Sequence, residues 1–165
     1  MKLKKSQIRN LILEEVKYIL ENKVFSKGVQ VNIDEKLDRC TQNESLITEF
    51  SEFCADKLGI NELIIIKIVN NRSKDGLRTT ADYSPDDHLI RVYGKNRAIV
   101  DICRSIAHEM THMHQMINGK LKFPVQDVGG EIEDEANAKA GEIIKLFAKS
   151  LPSRKAIYER KKYFK

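Results

Sequence analysis

A chain of 165 residues, with 41% apolar and 32% charged side chains, has the size and mix of one ordinary globular domain. No apolar run approaches the ~18 residues of a membrane helix, and no apolar stretch follows the charged start MKLKKSQIRN, so neither a membrane span nor a secretory signal is expected and the expected compartment is the cytoplasm. Three cysteines (Cys40, Cys54, Cys103) without a CxxC pair exclude a zinc ribbon or thioredoxin-type site, and the net charge of +5 gathers mainly in MKLKK and SRKAIYERKKYFK, read as solvated ends rather than a nucleic-acid contact.

Residues 6–22 place Ile8, Leu11, Ile12, Val16, Ile19 and Leu20 at helical spacing, which predicts an amphipathic helix. Residues 23–42 are polar and irregular, with a short VQVNI segment that reads as an edge strand. A helix over 43–58 follows, burying Leu46, Ile47, Phe50, Phe53, Cys54 and Leu58 and stopping at Gly59. The β-branched run Glu62 to Val69 predicts a strand, and Leu77–Tyr83 and His88–Tyr93 predict two more, joined by the turn Ser84-Pro85-Asp86-Asp87. A helix from about Asn96 to just before Gly119 carries Ile99, Ile102, Cys103, Ile106, Met110, Met113 and Ile117. After a loop with Pro124 and Gly129-Gly130, another helix runs over 131–149, with Ala136, Ala140, Ile143, Ile144 and Phe147 in helical register until Pro152. A last short helix is expected from Ser153. The order of elements predicts an α+β fold with a small, mostly antiparallel sheet.

The chemistry concentrates in His108-Glu109-Met110-Thr111-His112, an HExxH sequence inside the predicted 96–118 helix. Residues i and i+4 share a helix face, so His108 and His112 can each give one nitrogen to a single tetrahedral zinc ion. Glu109 projects beside them, where it can take a proton from water. Such a short motif also arises on solvated helix faces with two satisfied histidines. Its place in mid-helix after a strand hairpin, using two of only four histidines, favours the metal reading.

A third protein ligand is needed. His114 follows too closely on the same helix, and no cysteine lies downstream, so a carboxylate is expected. The candidates lie in GGEIEDEANAKAGEII. Glu133 shares a helix face with Ala136, Asn137 and Ala140, a face small enough to pack closely on the HExxH helix. Glu135 and Glu142 point away and read as solvent carboxylates, while Glu131 and Asp134 suit the positive end of the helix dipole. Asn137, one turn after Glu133, is placed to orient a ligand histidine.

HEMTH followed by Ile132-Glu133-Asp134-Glu135-Ala136-Asn137 resembles the gluzincin pattern, HExxH then ExxA(N/D). It is similar to the short ImmA/IrrE-type metallopeptidase domain, in which I-E-x-x-A-N lies on the helix after the HExxH helix. The resemblance covers about residues 62–148 and departs at Lys139-Ala140, where the family continues with F-A and a Leu-Leu-Met-Pro segment. It implies a minimal gluzincin-like, zincin-like fold with one zinc ion held by His108, His112 and Glu133, Glu109 as general base, and a sheet edge that binds extended peptide.

The expected organisation is a single domain: an N-terminal helical part (1–60), a zincin-like catalytic core (61–150) and a basic C-terminal tail (151–165). The expected function is zinc-dependent hydrolysis of peptide bonds in a peptide or protein substrate, without membrane partners. Either hairpin strand, 77–83 or 88–93, could be the substrate edge, and Tyr83, Tyr93 and Tyr158 are candidates to assist at the oxyanion. His88 is expected as an exposed strand residue and His114 as half-buried packing. The alternative functions are a non-catalytic zinc-binding regulatory protein on the same scaffold, and a nucleic-acid-binding protein in which HEMTH is incidental.

Overall fold

The computed structural model describes residues 28–37, 43–121 and 129–158. The predicted 6–22 helix, Cys40, Pro124 and the end of the basic tail lie outside them. The described chain runs β1 (Gly28–Ile33), α1 (Glu44–Leu58), β2 (Leu63–Val69), β3 (Ala81–Ser84), β4 (Leu89–Tyr93), α2 (Ile99–Ile117) and α3 (Glu131–Ser150), then a 3-10 helix (Pro152–Tyr158). The fold is α+β. Among the described residues no helix is long and apolar enough to cross a membrane.

The four strands form one sheet in the order β1-β2-β4-β3. The expectation of a mostly antiparallel sheet is corrected: β1 pairs with β2 and β2 with β4 in parallel, and β3–β4 alone is antiparallel. Parallel neighbours need a long crossover. Between β1 and β2 that crossover includes α1; between β2 and β4 it is the 70–80 loop together with β3. The chain leaves β2, passes over the position next to it, forms β3 at the edge, and returns through residues 85–88 to lay β4 between them. β1 belongs to the stretch expected to be an N-terminal helical part, so the sheet crosses that boundary.

Several boundaries also move. Leu77–Thr80 is loop, with Leu77 buried, and the strand begins at Ala81. Asn96 takes φ +58, which no helix tolerates, and α2 starts at Ile99. His88 is a half-buried turn residue with φ +48, not an exposed strand residue.

Alternation builds the core. Ile64, Ile66 and Ile68 of β2, with Ile90 and Val92 of β4, are all but inaccessible, while Leu63, Ile65, Lys67 and Arg91 between them are not. On the buried side they join Ile47, Phe50 and Cys54 of α1, Ile102, Ile106, Met110 and Met113 of α2, and Ile143, Ile144 and Phe147 of α3. Cys54 and Cys103 are buried free thiols. Asn43 caps α1, its Oδ1 accepting from the Leu46 N–H at 3.3 Å, and Gly59 ends it in the left-handed conformation (φ 65).

The start of α2 has no side-chain cap of its own. Arg97 ties it instead to the sheet: its Nη1 donates to the Tyr93 carbonyl (3.0 Å), and its Nη2 to the Asp101 carbonyl (2.7 Å) and Ser105 Oγ (2.9 Å). This clamp joins the first turns of the HExxH helix to the end of β4.

Candidate metal centre

His108, Glu109 and His112 occupy the middle of α2, and α3 crosses it through small side chains. Ala136 and Ala140 are 0% and 1% exposed, which allows the two backbones to approach. This approach brings Glu133, in the first turn of α3, onto the histidine pair. Its Oε2 lies 3.2 Å from His108 Nε2, its Oε1 lies 3.2 Å from His112 Nε2, and the two Nε2 atoms are 3.0 Å apart. The imidazoles stand edge to face at 86°.

Three potential electron-pair donors therefore converge from three side chains. A tetrahedral zinc with bonds of about 2.0–2.1 Å holds its ligand atoms roughly 3.3 Å apart. The 3.0 and 3.2 Å distances are close to that spacing, the two nitrogens meeting different oxygens of Glu133, and the donor set, two imidazoles and a carboxylate, is one that zinc accepts. Three protein donors on a tetrahedral ion would leave one position over.

Burial, followed by the neighbouring His112, pushes the His108 pKa below its ordinary value, against the pull of Glu133 and of a hydrogen bond with Asn137. Asn137, exposed on α3, thus reaches the His108 ring from one turn beyond Glu133. Glu109 is only 9% exposed and its carboxyl is pushed up to about 8, chiefly by burial and further by the charges of Asp82 and Glu133. The neighbouring Asp82 is held by both Nε and Nη2 of its cross-strand partner Arg91, whose Nη1 also donates to the Asp75 carbonyl at 2.7 Å.

His108, Glu109, His112, Glu133, Asn137 and Asp82 line a cleft of about 760 Å³. One wall is α2 with His108, Glu109 and His112, and the opposite wall is the 79–83 segment. The two hairpin strands, each expected as a possible substrate edge, differ in access. β4 is flanked on both sides, whereas β3 is an edge that faces the cleft. Because the Tyr93 N–H donates to the Thr80 carbonyl (2.9 Å) and Asp82 is opposite Arg91, alternation turns the backbone groups of Ala81 and Tyr83 away from β4, toward the cleft. The Ala81 carbonyl accepts from Thr79 Oγ1 at 2.5 Å. Of the three candidate tyrosines, Tyr83 lines the cleft, Tyr93 carries Arg72 over its ring, and Tyr158 is exposed in the 3-10 helix. Arg104, one turn before His108, also lines the cleft.

Two residues behave differently from expectation. Glu135 is not a free solvent carboxylate: its Oε2 accepts from Gln115 Nε2 at 3.0 Å and its Oε1 from Lys120 Nζ at 3.3 Å. These two partners hold its carboxyl below the usual range. Gln115, not singled out by the sequence reading, is fully buried and 2.8 Å from His112 Nδ1. The signal was present in the sequence, since a glutamine three residues after His112 shares its helix face. Glu142 pairs with Lys139 on the surface, as expected of a solvent carboxylate, and half-buried His114 contacts Asn118.

Compared with protein-family models, with curated proteins and with solved structures, the chain gives no match.

Proposed function

We propose that this protein is a zinc-dependent metallopeptidase of a minimal gluzincin-like kind, with His108, His112 and Glu133 as zinc ligands and Glu109 as general base. The observation that carries the reading is the convergence of two Nε2 atoms and one carboxylate within 3.0–3.2 Å, in a cleft walled by a sheet edge. Such a cluster of lone pairs is stable when a cation sits among them.

Bound there, zinc would supply a Lewis acid for the scissile carbonyl and make the attacking water more acidic. The chain's own groups supply the rest. Glu109, as the carboxylate that a neighbouring cation favours against its burial, accepts the water proton and returns it to the leaving amine. The substrate lies extended against β3, pairing with the Ala81 and Tyr83 backbone. Asn137 steadies the His108 ring.

The test is metal analysis of the purified chain beside Glu133→Ala and the surface control Glu142→Ala, followed by a peptide-library cleavage assay on the wild type and Glu109→Gln. One zinc per chain, lost in Glu133→Ala and kept in the control, is expected, with cleavage abolished by Glu109→Gln while its zinc is retained. Cleavage that persists in Glu109→Gln would end the mechanism, and absence of zinc from the wild type would end the metal assignment.

A further inference from the structure

The hydrolytic reading leaves Gln115, a buried amide beside a proposed ligand, without a role. Gln115 is fully buried, and its amide faces three partners. The Ile132 carbonyl and Glu135 Oε2 each lie 3.0 Å from one end. A carbonyl and a carboxylate only accept, so that end is the NH2 group, and both of its hydrogens are used there. Lys120, 3.3 Å from the other Glu135 oxygen, favours the charged acceptor. The atom 2.8 Å from His112 Nδ1 is therefore the amide oxygen. An amide oxygen has no hydrogen to give, so this bond exists only when Nδ1 carries one.

We propose that Gln115, clamped by Glu135 and the Ile132 backbone, is a positioning residue that holds His112 in its Nδ1–H tautomer. A neutral imidazole carries a single N–H, so Nε2 is left bare, aimed at His108 and Glu133. Ile132 and Glu135 flank Glu133 in α3. The helix that delivers the third ligand thus also fixes the amide that prepares the second, and seating α3 on α2 completes both in one event. In the metal-free chain the amide oxygen, at 2.8 Å from Nδ1 against 3.2 Å between Nε2 and Glu133 Oε1, is the nearer acceptor for the single ring hydrogen; the consequence for zinc rests on the ligand set proposed above.

The test has two readouts on the full chain. In metal-free, ¹⁵N-labelled protein above the histidine titration range, long-range ¹H–¹⁵N correlations report the His112 tautomer. Nδ1–H is expected in the wild type and a mixture with Nε2–H in Gln115→Leu. Competition with a zinc chelator then measures affinity, and a loss of about 10–100-fold is expected in Gln115→Leu, the usual effect of removing such a support. Should that variant fail to fold, the pair Gln115→Glu and Gln115→Glu/Glu135→Gln decides. The single change sets two carboxylates against each other. The double change reverses the donor between them and keeps an acceptor for Nδ1–H, though it leaves the Ile132 carbonyl without its donor, so it should recover part of the zinc affinity that the single change loses. An Nε2–H tautomer in the wild type, unchanged tautomer and affinity in Gln115→Leu, or a double variant no better than the single would overturn the proposal. A folded wild type with no zinc affinity would end the peptidase reading, and the tautomer spectra would still decide on Gln115.

Discussion

Glu109→Gln is expected to make the metal-free protein more stable while removing the base of the proposed hydrolysis. The carboxyl sits 9% exposed between Asp82 and Glu133, and its pKa rises from 4.5 to about 8 on folding. Between those values the folded protein holds a proton that the unfolded chain has released. Stability conferred by the protonated form is therefore complete below pH 4.5, falls as pH rises, and is lost above about pH 8. At about 1.4 kcal/mol per pH unit the loss comes to roughly 3 kcal/mol at pH 7 and roughly 5 kcal/mol at its limit. Glutamine has nearly the same shape and does not titrate. For a chain of this length, 1 kcal/mol moves Tm by about 2–4 °C, so the metal-free variant should melt about 6–12 °C above the wild type at pH 7 and close to it at pH 4.5. Thermal unfolding by circular dichroism in the presence of a chelator, at several pH values, measures this. Saturating zinc should flatten the wild-type pH dependence, because a cation beside the carboxylate offsets its burial. If the difference between wild type and variant is the same at pH 4.5 and pH 8 without metal, the reasoning about a buried, neutral Glu109 is wrong.

Other perturbations separate the parts of the fold. Ala81→Pro removes an N–H that faces the cleft and not β4, a change tolerated at a sheet edge; it should abolish peptide cleavage while zinc content and the far-ultraviolet spectrum stay unchanged. Adding a chelator should lower Tm, and should leave the Tm of Glu133→Ala where it is, as differential scanning fluorimetry would show. Gly59→Ala meets no atom within 4 Å, so its whole cost is the left-handed backbone at φ +65, about 1 kcal/mol in urea unfolding. Phe147→Ala empties the junction where this inaccessible ring meets Phe50 at 5.2 Å and Phe53 at 5.4 Å, and should cost about 3–5 kcal/mol in the same assay.

The helices were legible because their signals are local. Asn43 and Gly59 bracket α1 in the sequence as they do in space, and of the apolar positions expected in α2, Ile102, Cys103, Ile106, Met110 and Met113 are buried, whereas Ile99 is half-buried and Ile117, at the end, is exposed. The sheet was misjudged because pairing is not local. The turn at 85–88 invites an antiparallel reading, and that is correct for the one pair it joins. The run Leu63–Val69 carried the opposite message. A nearly unbroken apolar segment suits a central strand between parallel neighbours, and β2 has β1 on one side and β4 on the other. The polar ADYS of β3, by contrast, belongs to an edge.

The candidate site divides along the same line. His108 and His112 are joined by helix geometry, so their spacing alone places both rings on one face. Glu133 could be chosen because Ala136 and Ala140 mark which face of α3 meets α2. Glu135 was assigned to solvent by the same wheel, since it lies about 200° from Glu133. That argument fails because it counts Cα directions and ignores reach. Gln115 extends from α2 one turn beyond His112, Glu135 extends from the flank of α3, and two long side chains close a gap that their backbones do not. A helical wheel shows which residues share a face, and the angle at which two helices cross decides which residues just off that face still meet. A buried histidine and an amide one turn on can satisfy each other, and the amide's two remaining hydrogens then find acceptors on the helix that crosses them.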